Sequence, residues 1–121
     1  MGLAAFHPLR SDRENGLQWL GIGNVEGVVL HAHATARPRV ERLLVRGGIV
    51  GHRLPRLLVS TVPLTRDDVV VLATDGIRAD FAERLTAGEP PRALADRILA
   101  AYGKESDDAL VLVARYLGSA P

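Results

Sequence analysis

The chain has 121 residues, 47% hydrophobic and 24% charged, a composition that suits one globular domain with a real core and leaves no need for a second domain. Fifteen basic and fourteen acidic residues give a formal charge of +1 with no long block of either sign, which argues against nucleic acid as a partner, and no apolar run is long enough to cross a bilayer. The absence of cysteine excludes a disulfide framework, a thiolate metal site and a cysteine nucleophile, and residues 1–8 lack the pattern of a signal peptide, so a cytoplasmic address fits.

In chain order, residues 3–6 are a short apolar piece stopped by Pro8. The polar stretch 11–16, ending Asn15-Gly16, reads as the turn of a hairpin. The return strand, residues 17–23, places Leu17, Trp19 and Gly21 on one face and Leu20 and Ile22 on the other, the pattern of a strand buried on both sides. Residues 28–34 form another strand and 39–45 a further one, in the rhythm of a β-meander with antiparallel spacing throughout. Between 46 and 51 a loop carries Gly47, Gly48 and Gly51, after which 57–62 reads as a strand and 63–68 as a turn.

The organising stretch follows. Val69-Val70-Val71-Leu72-Ala73-Thr74 is an unbroken apolar, β-branched run, and it ends in Asp75-Gly76. It predicts a buried strand that holds a carboxylate at its tip. Residues 79–85 have helical composition, with Phe81, Ala82 and Leu85 at helical intervals. Pro90-Pro91 then open a clearer helix with an apolar stripe at Leu94, Ala95, Ile98, Leu99 and Tyr102 and with Gly103 at its end. Ser106-Asp107-Asp108 leads into a last strand over 109–117. The order of many strands, two helices and one strand predicts an α+β fold of mostly antiparallel β-sheets with flanking helices.

Among the chemistry-bearing residues, Gly21, Gly23 and Gly27 depart from the dinucleotide fingerprint, because the third glycine comes one residue late and no helix follows. His31 and His33 would share a strand face and could bind a metal, but no third ligand stands out. Ordinary surface histidines, like His7 and His52, are the better reading. Ser11, Ser60, Ser106 and Ser119 lack a nucleophile elbow, and the arginines between 37 and 56 are dispersed as a solvated face is. The acids differ. One ends a strand at Asp75 and another begins one at Asp107, so antiparallel pairing of those strands would bring both carboxylates to one sheet end, within reach of a shared hard cation.

Taken together, Gly21-Ile22-Gly23-Asn24-Val25-Glu26-Gly27, Gly47-Gly48-Ile49-Val50-Gly51, Leu72-Ala73-Thr74-Asp75-Gly76-Ile77 and Ser106-Asp107-Asp108-Ala109-Leu110-Val111 resemble the later part of a PPM-type serine/threonine phosphatase. The branch is that of bacterial sporulation stage II protein E and RsbX. The resemblance implies a truncated α-β-β-α sandwich over residues 1–121, with Asp75 and Asp107 as ligands of Mn²⁺ or Mg²⁺, dinuclear in the family, and Asp108 and Gly76 beside them. It implies hydrolysis of phosphoserine or phosphothreonine on a regulatory protein of the anti-sigma-antagonist or stressosome type. Asp75-Gly76 is the sole Asp-Gly in the chain, and the acids of the family's earlier half have no counterpart. The cation centre is therefore incomplete and turnover by this chain is expected to be weak or absent. The alternative expectation is a non-catalytic protein-binding module or pseudophosphatase, with a homodimer or a partner covering the exposed sheet.

Overall fold

The computed structural model describes residues 2–8, 15–22, 25–33, 39–43, 45–46, 60–85, 88–104 and 108–118. Among them the elements run β1 (Gly2–Pro8), β2 (Asn15–Ile22), β3 (Val25–Leu30), β4 (Val40–Leu43), β5 (Val45–Arg46), β6 (Ser60–Leu64), β7 (Val69–Thr74), a 3-10 helix (Ala79–Arg84), α1 (Pro91–Tyr102) and β8 (Val111–Arg115). The architecture is α+β with mostly antiparallel strands in two sheets. One sheet orders β4-β3-β7-β8, while in the other β2 is flanked by β1, β5 and β6.

β7 is central because its sequence suits no other place. Val69, Val70 and Val71 are each at most 1% exposed, so both faces of the strand must be covered. Val69, Val71 and Ala73 join Val28 and Leu30 of β3 in a cluster closed by Phe81, Leu94 and Ile98, which is the helical side. Val70 and Val29 turn the other way and meet Leu17, Trp19, Val62 and Leu64 of the second sheet. Period-two alternation thus sends neighbouring residues of one strand into two cores, each side chain contributing about 1.5–3 kcal/mol by burial. Three layers result: helices, sheet, sheet.

Several local expectations are corrected. Asn15 and Gly16 lie within β2, paired with Pro8 and His7, rather than in a turn, and residues 9–14 lie outside the described residues. The burial of Leu17 and Trp19 against Val62 and Leu64 fixes that register over the turn preference of Asn-Gly. The meander breaks after β2, for β3 pairs with β4 and β7 in the other sheet. The run 39–45 is divided: β4 joins β3, whereas β5 joins β2 in a parallel bridge, an exception to the antiparallel rule. The stretch expected to be helical over 79–85 is a 3-10 helix at Ala79–Arg84 rather than an α-helix, enough to sink Phe81 and Ala82 into the core. On α1 the buried stripe is narrower than its sequence suggests, with Leu94 and Ile98 inside and Leu99 47% exposed. The last strand is confined to Val111–Arg115.

Candidate functional site

The tip of β7 is built by three sets of backbone contacts. Ile77 N–H donates to the Thr74 carbonyl at 3.0 Å, closing a tight turn around Asp75-Gly76. Thr74 is tied to the approach of β8: its N–H donates to the Leu110 carbonyl at 3.1 Å, and Leu110 N–H donates to Thr74 Oγ1 at 2.9 Å. On the other side, Lys104 N–H donates to the Gly76 carbonyl and Arg78 N–H to the Tyr102 carbonyl, each at 2.8 Å, which fastens the turn to the end of α1. The Arg78 guanidinium adds a bond to the Ala101 carbonyl at 3.0 Å and stands 5.2 Å from the Tyr102 ring centre.

Position 76 requires glycine for space. A Cβ there would lie 2.2 Å from the Asp108 carbonyl oxygen and 3.0 Å from Ala109 Cα, so the two backbones touch. β7 and β8 are antiparallel neighbours, with Ala73 opposite Val111, and the segments beyond that pair put Asp75-Gly76 beside Asp108 at one rim of the sheet. Asp75 and Asp108 are both exposed there. Asp107 lies outside the described residues. Carboxylate oxygens are the donor type that Mn²⁺ and Mg²⁺ take. Among the described residues no group of three His, Cys, Asp or Glu side chains is placed to hold a metal ion.

At the opposite end of the same strands lies a constellation that sequence reasoning passed over. Asp68, 1% exposed, enters β7 from a turn in which Asp67 takes a positive φ of 72°. Its Oδ1 accepts from Ala32 N–H at 2.9 Å and Thr65 Oγ1 at 3.2 Å, while Oδ2 accepts from Thr65 N–H at 3.0 Å and lies 3.1 Å from His31 Nδ1. His31 Nε2 lies 3.0 Å from Glu41 Oε2 on β4. Burial pulls the His31 pKa down, but the hydrogen bonds to Glu41 and Asp68, together with their charges, outweigh it and raise the pKa above the ordinary 6.5. His31 is thus no ordinary surface histidine, its side chain being 15% exposed. β3 ends at Leu30, so His31 and His33 do not share a strand face, and His33 is exposed. The signal available in the sequence was Thr65-Arg66-Asp67-Asp68 directly before a strand buried on both faces, since such a strand draws its preceding acid inside and obliges it to find donors.

No protein-family description and no curated protein matches the chain. Solved structures do. A chain from the bacterial stressosome, a modular system adapted to control secondary messenger signalling, is similar with a TM-score of 0.61 and 30% identity over 83% of this chain and 52% of that one. The phosphatase domain of the cell fate determinant SpoIIE from Bacillus subtilis, presoaked with manganese, is similar with a TM-score of 0.62 and 16% identity over 100% of this chain and 58% of that domain. The chain therefore spans about half the length of each, and its fold is like that of the SpoIIE phosphatase domain.

Proposed function

We propose that the chain is a PPM-type protein phosphatase domain in part, directed at a phosphorylated regulatory protein of the stressosome or anti-sigma-antagonist type. Asp75 and Asp107 hold Mn²⁺ or Mg²⁺, with Asp108 and Gly76 against them, and hydrolysis of phosphoserine or phosphothreonine by residues 1–121 alone is weak or absent. The observation that carries this reading is the contact of Gly76 with the Asp108 backbone, which puts the Asp-Gly turn and Asp108 on one rim. The phosphatase fold of the SpoIIE domain and the stressosome neighbour support it. Weak turnover is expected because Asp75-Gly76 is the sole Asp-Gly in the sequence, and few carboxylates cannot balance two divalent charges.

Calorimetric titration of the chain with MnCl₂, beside Asp75→Asn and Asp107→Asn, tests the ligands, and phosphate release from a phosphoserine peptide tests the activity. The expected result is Mn²⁺ binding weakened about tenfold or more by either substitution, with phosphate release near background. Binding unchanged in both variants overturns the ligand assignment. Brisk Mn²⁺-dependent turnover overturns the inference of weak activity.

A second reading, the non-catalytic binding module, is favoured by β8. It is the outer strand of its sheet among the described residues, and Leu110, Leu112 and Leu117 on and around it are 66%, 49% and 69% exposed. Sedimentation that depends on concentration and is abolished by Leu112→Lys, in a chain that binds no Mn²⁺, would decide for the module.

A further inference from the structure

We propose that His31, Glu41 and Asp68 form a proton-operated clasp that holds β4, the outer strand of its sheet among the described residues, against the body of the fold and loosens it when the imidazole loses one proton. This inference is independent of the phosphatase reading, since it concerns the opposite end of β3 and β7.

The argument is one of proton counting. A neutral imidazole has one N–H to donate, and an ionised carboxylate can only accept. Both ring nitrogens of His31 stand at hydrogen-bond distance from carboxylate oxygens, Nδ1 at 3.1 Å from Asp68 and Nε2 at 3.0 Å from Glu41. Asp68 already receives Ala32 N–H, Thr65 N–H and the Thr65 hydroxyl, so it is an acceptor and its charge is well matched. The bonds are therefore both made by a ring that carries two protons.

Removal of one proton does not act on the two partners equally. Asp68 is buried and fixed by backbone donors, whereas the Glu41 side chain is 39% exposed and can turn to water. The remaining proton stays on Nδ1, facing Asp68, and the Nε2 lone pair is left facing the Glu41 carboxylate. The proton goes to solvent and the link to β4 is lost, while the link to the start of β7 remains. Among the described residues no other charged group is placed on the ring. Arg39 meets His31 through its backbone carbonyl, which accepts His31 N–H at 2.8 Å; Arg42, next on β4, pairs with Glu26. Asp67 and Arg66 in the β6–β7 turn and His33 on the same segment are exposed.

β4 is the strand with most to lose. Among the described residues it pairs with β3 alone, through Gly27 to Leu30, and its Val40 and Arg42 line an open hollow of ≈ 480 Å³ together with Ala82 and Glu83. Loosening β4 therefore changes the shape of that hollow.

The test reads the ring and the strand separately on the full chain. Long-range ¹H–¹⁵N spectra of the histidine rings from pH 5.5 to 8.5 are expected to show both His31 nitrogens protonated at the acid end and Nε2 alone deprotonated at the alkaline end. Over the same range, hydrogen-exchange protection of the β4 amides, corrected for intrinsic rates, is expected to fall about tenfold while that of Val70 and Val71 holds. Glu41→Gln, which leaves Asp68 and the fold in place, is expected to abolish the step in β4 protection. A ring that is singly protonated at pH 5.5, loss of the Nδ1 proton in place of the Nε2 proton, β4 protection that does not change with pH, or a step that survives in Glu41→Gln would each overturn the clasp.

Discussion

Asp68 and Asp75 stand at the two ends of β7, six residues of strand between them, and they have opposite fates. Asp68 is 1% exposed and surrounded by donors from Ala32, Thr65 and His31. Asp75 is exposed, in a turn whose backbone is fastened on both sides. A carboxylate whose oxygens are already satisfied serves the fold, and removing it costs stability. One held rigidly in solvent has its lone pairs to offer to something else. The same residue type on the same strand thus separates into structural and available acids by what the neighbouring loops supply, a distinction that spacing along the chain does not show.

The largest expected effect falls at the buried end. Asp68→Ala leaves two backbone N–H groups and a hydroxyl without their acceptor and His31 without its fixed partner, and a loss of about 3–5 kcal/mol follows by the magnitude usual for breaking a buried charge pair. Asp68→Asn keeps one acceptor oxygen and should lose about 1–3 kcal/mol. Urea unfolding of the two variants checks the order. A loss below 1 kcal/mol for the alanine variant would erase the contrast with Asp75.

At the other end the backbone is the sensitive part. Gly76→Ala puts a Cβ 2.2 Å from the Asp108 carbonyl oxygen, a contact that only a shift of one chain relieves. About 1–3 kcal/mol is expected from such overpacking, with the largest amide shift changes at Asp108 and Leu110 rather than on α1. Serine at the same position meets the same clash, so recovery in Gly76→Ser would point to a cause other than space.

Much of this was legible in the sequence and some was not, for reasons particular residues make plain. The three consecutive valines of β7 announced a strand buried on both faces, and Leu94 and Ile98 announced the helix that covers one of them. These signals are local and periodic. The division of residues 39–45 between two sheets was hidden, because a continuous β-prone run carries no mark of which neighbour each half will pair with. Asn15-Gly16 misled for the same reason: its turn preference is worth less than the burial of Leu17 and Trp19, which is decided by contacts with β6 far along the chain. The antiparallel pairing of β7 with β8, which sets Gly76 against the Asp108 backbone, was visible as a strand that ends in one acid and a strand that begins after another, while Asp107 itself lies outside the described residues. The His31 cluster was not, since its members lie 10 and 37 residues apart and none of them belongs to a motif.

The comparison sharpens with pH. Folding raises the His31 pKa, so its contribution is present in full below the unfolded value of about 6.5 and is lost as pH rises through the folded value. The difference in urea midpoint between the parent and Glu41→Gln should therefore be widest near pH 6 and close toward pH 8.5. Widening toward alkaline pH would reverse the sign and exclude the charged ring as the stabilising species.

The smallest effect on stability, and the most telling, is expected of Asp75→Asn. Asp75 is exposed, and among the described residues its side chain has no hydrogen bond or ion pair, so its replacement by an isosteric amide should leave the unfolding free energy within about 0.5 kcal/mol. The same change removes the anionic donor on which the proposed Mn²⁺ binding depends. A residue whose loss is silent in urea and severe in a metal titration is held by the fold for a ligand. If Asp75→Asn instead destabilised the chain as Asp68→Ala is expected to, the tip of β7 would be a second structural corner, and the rim shared with Asp108 would have no claim to be a site.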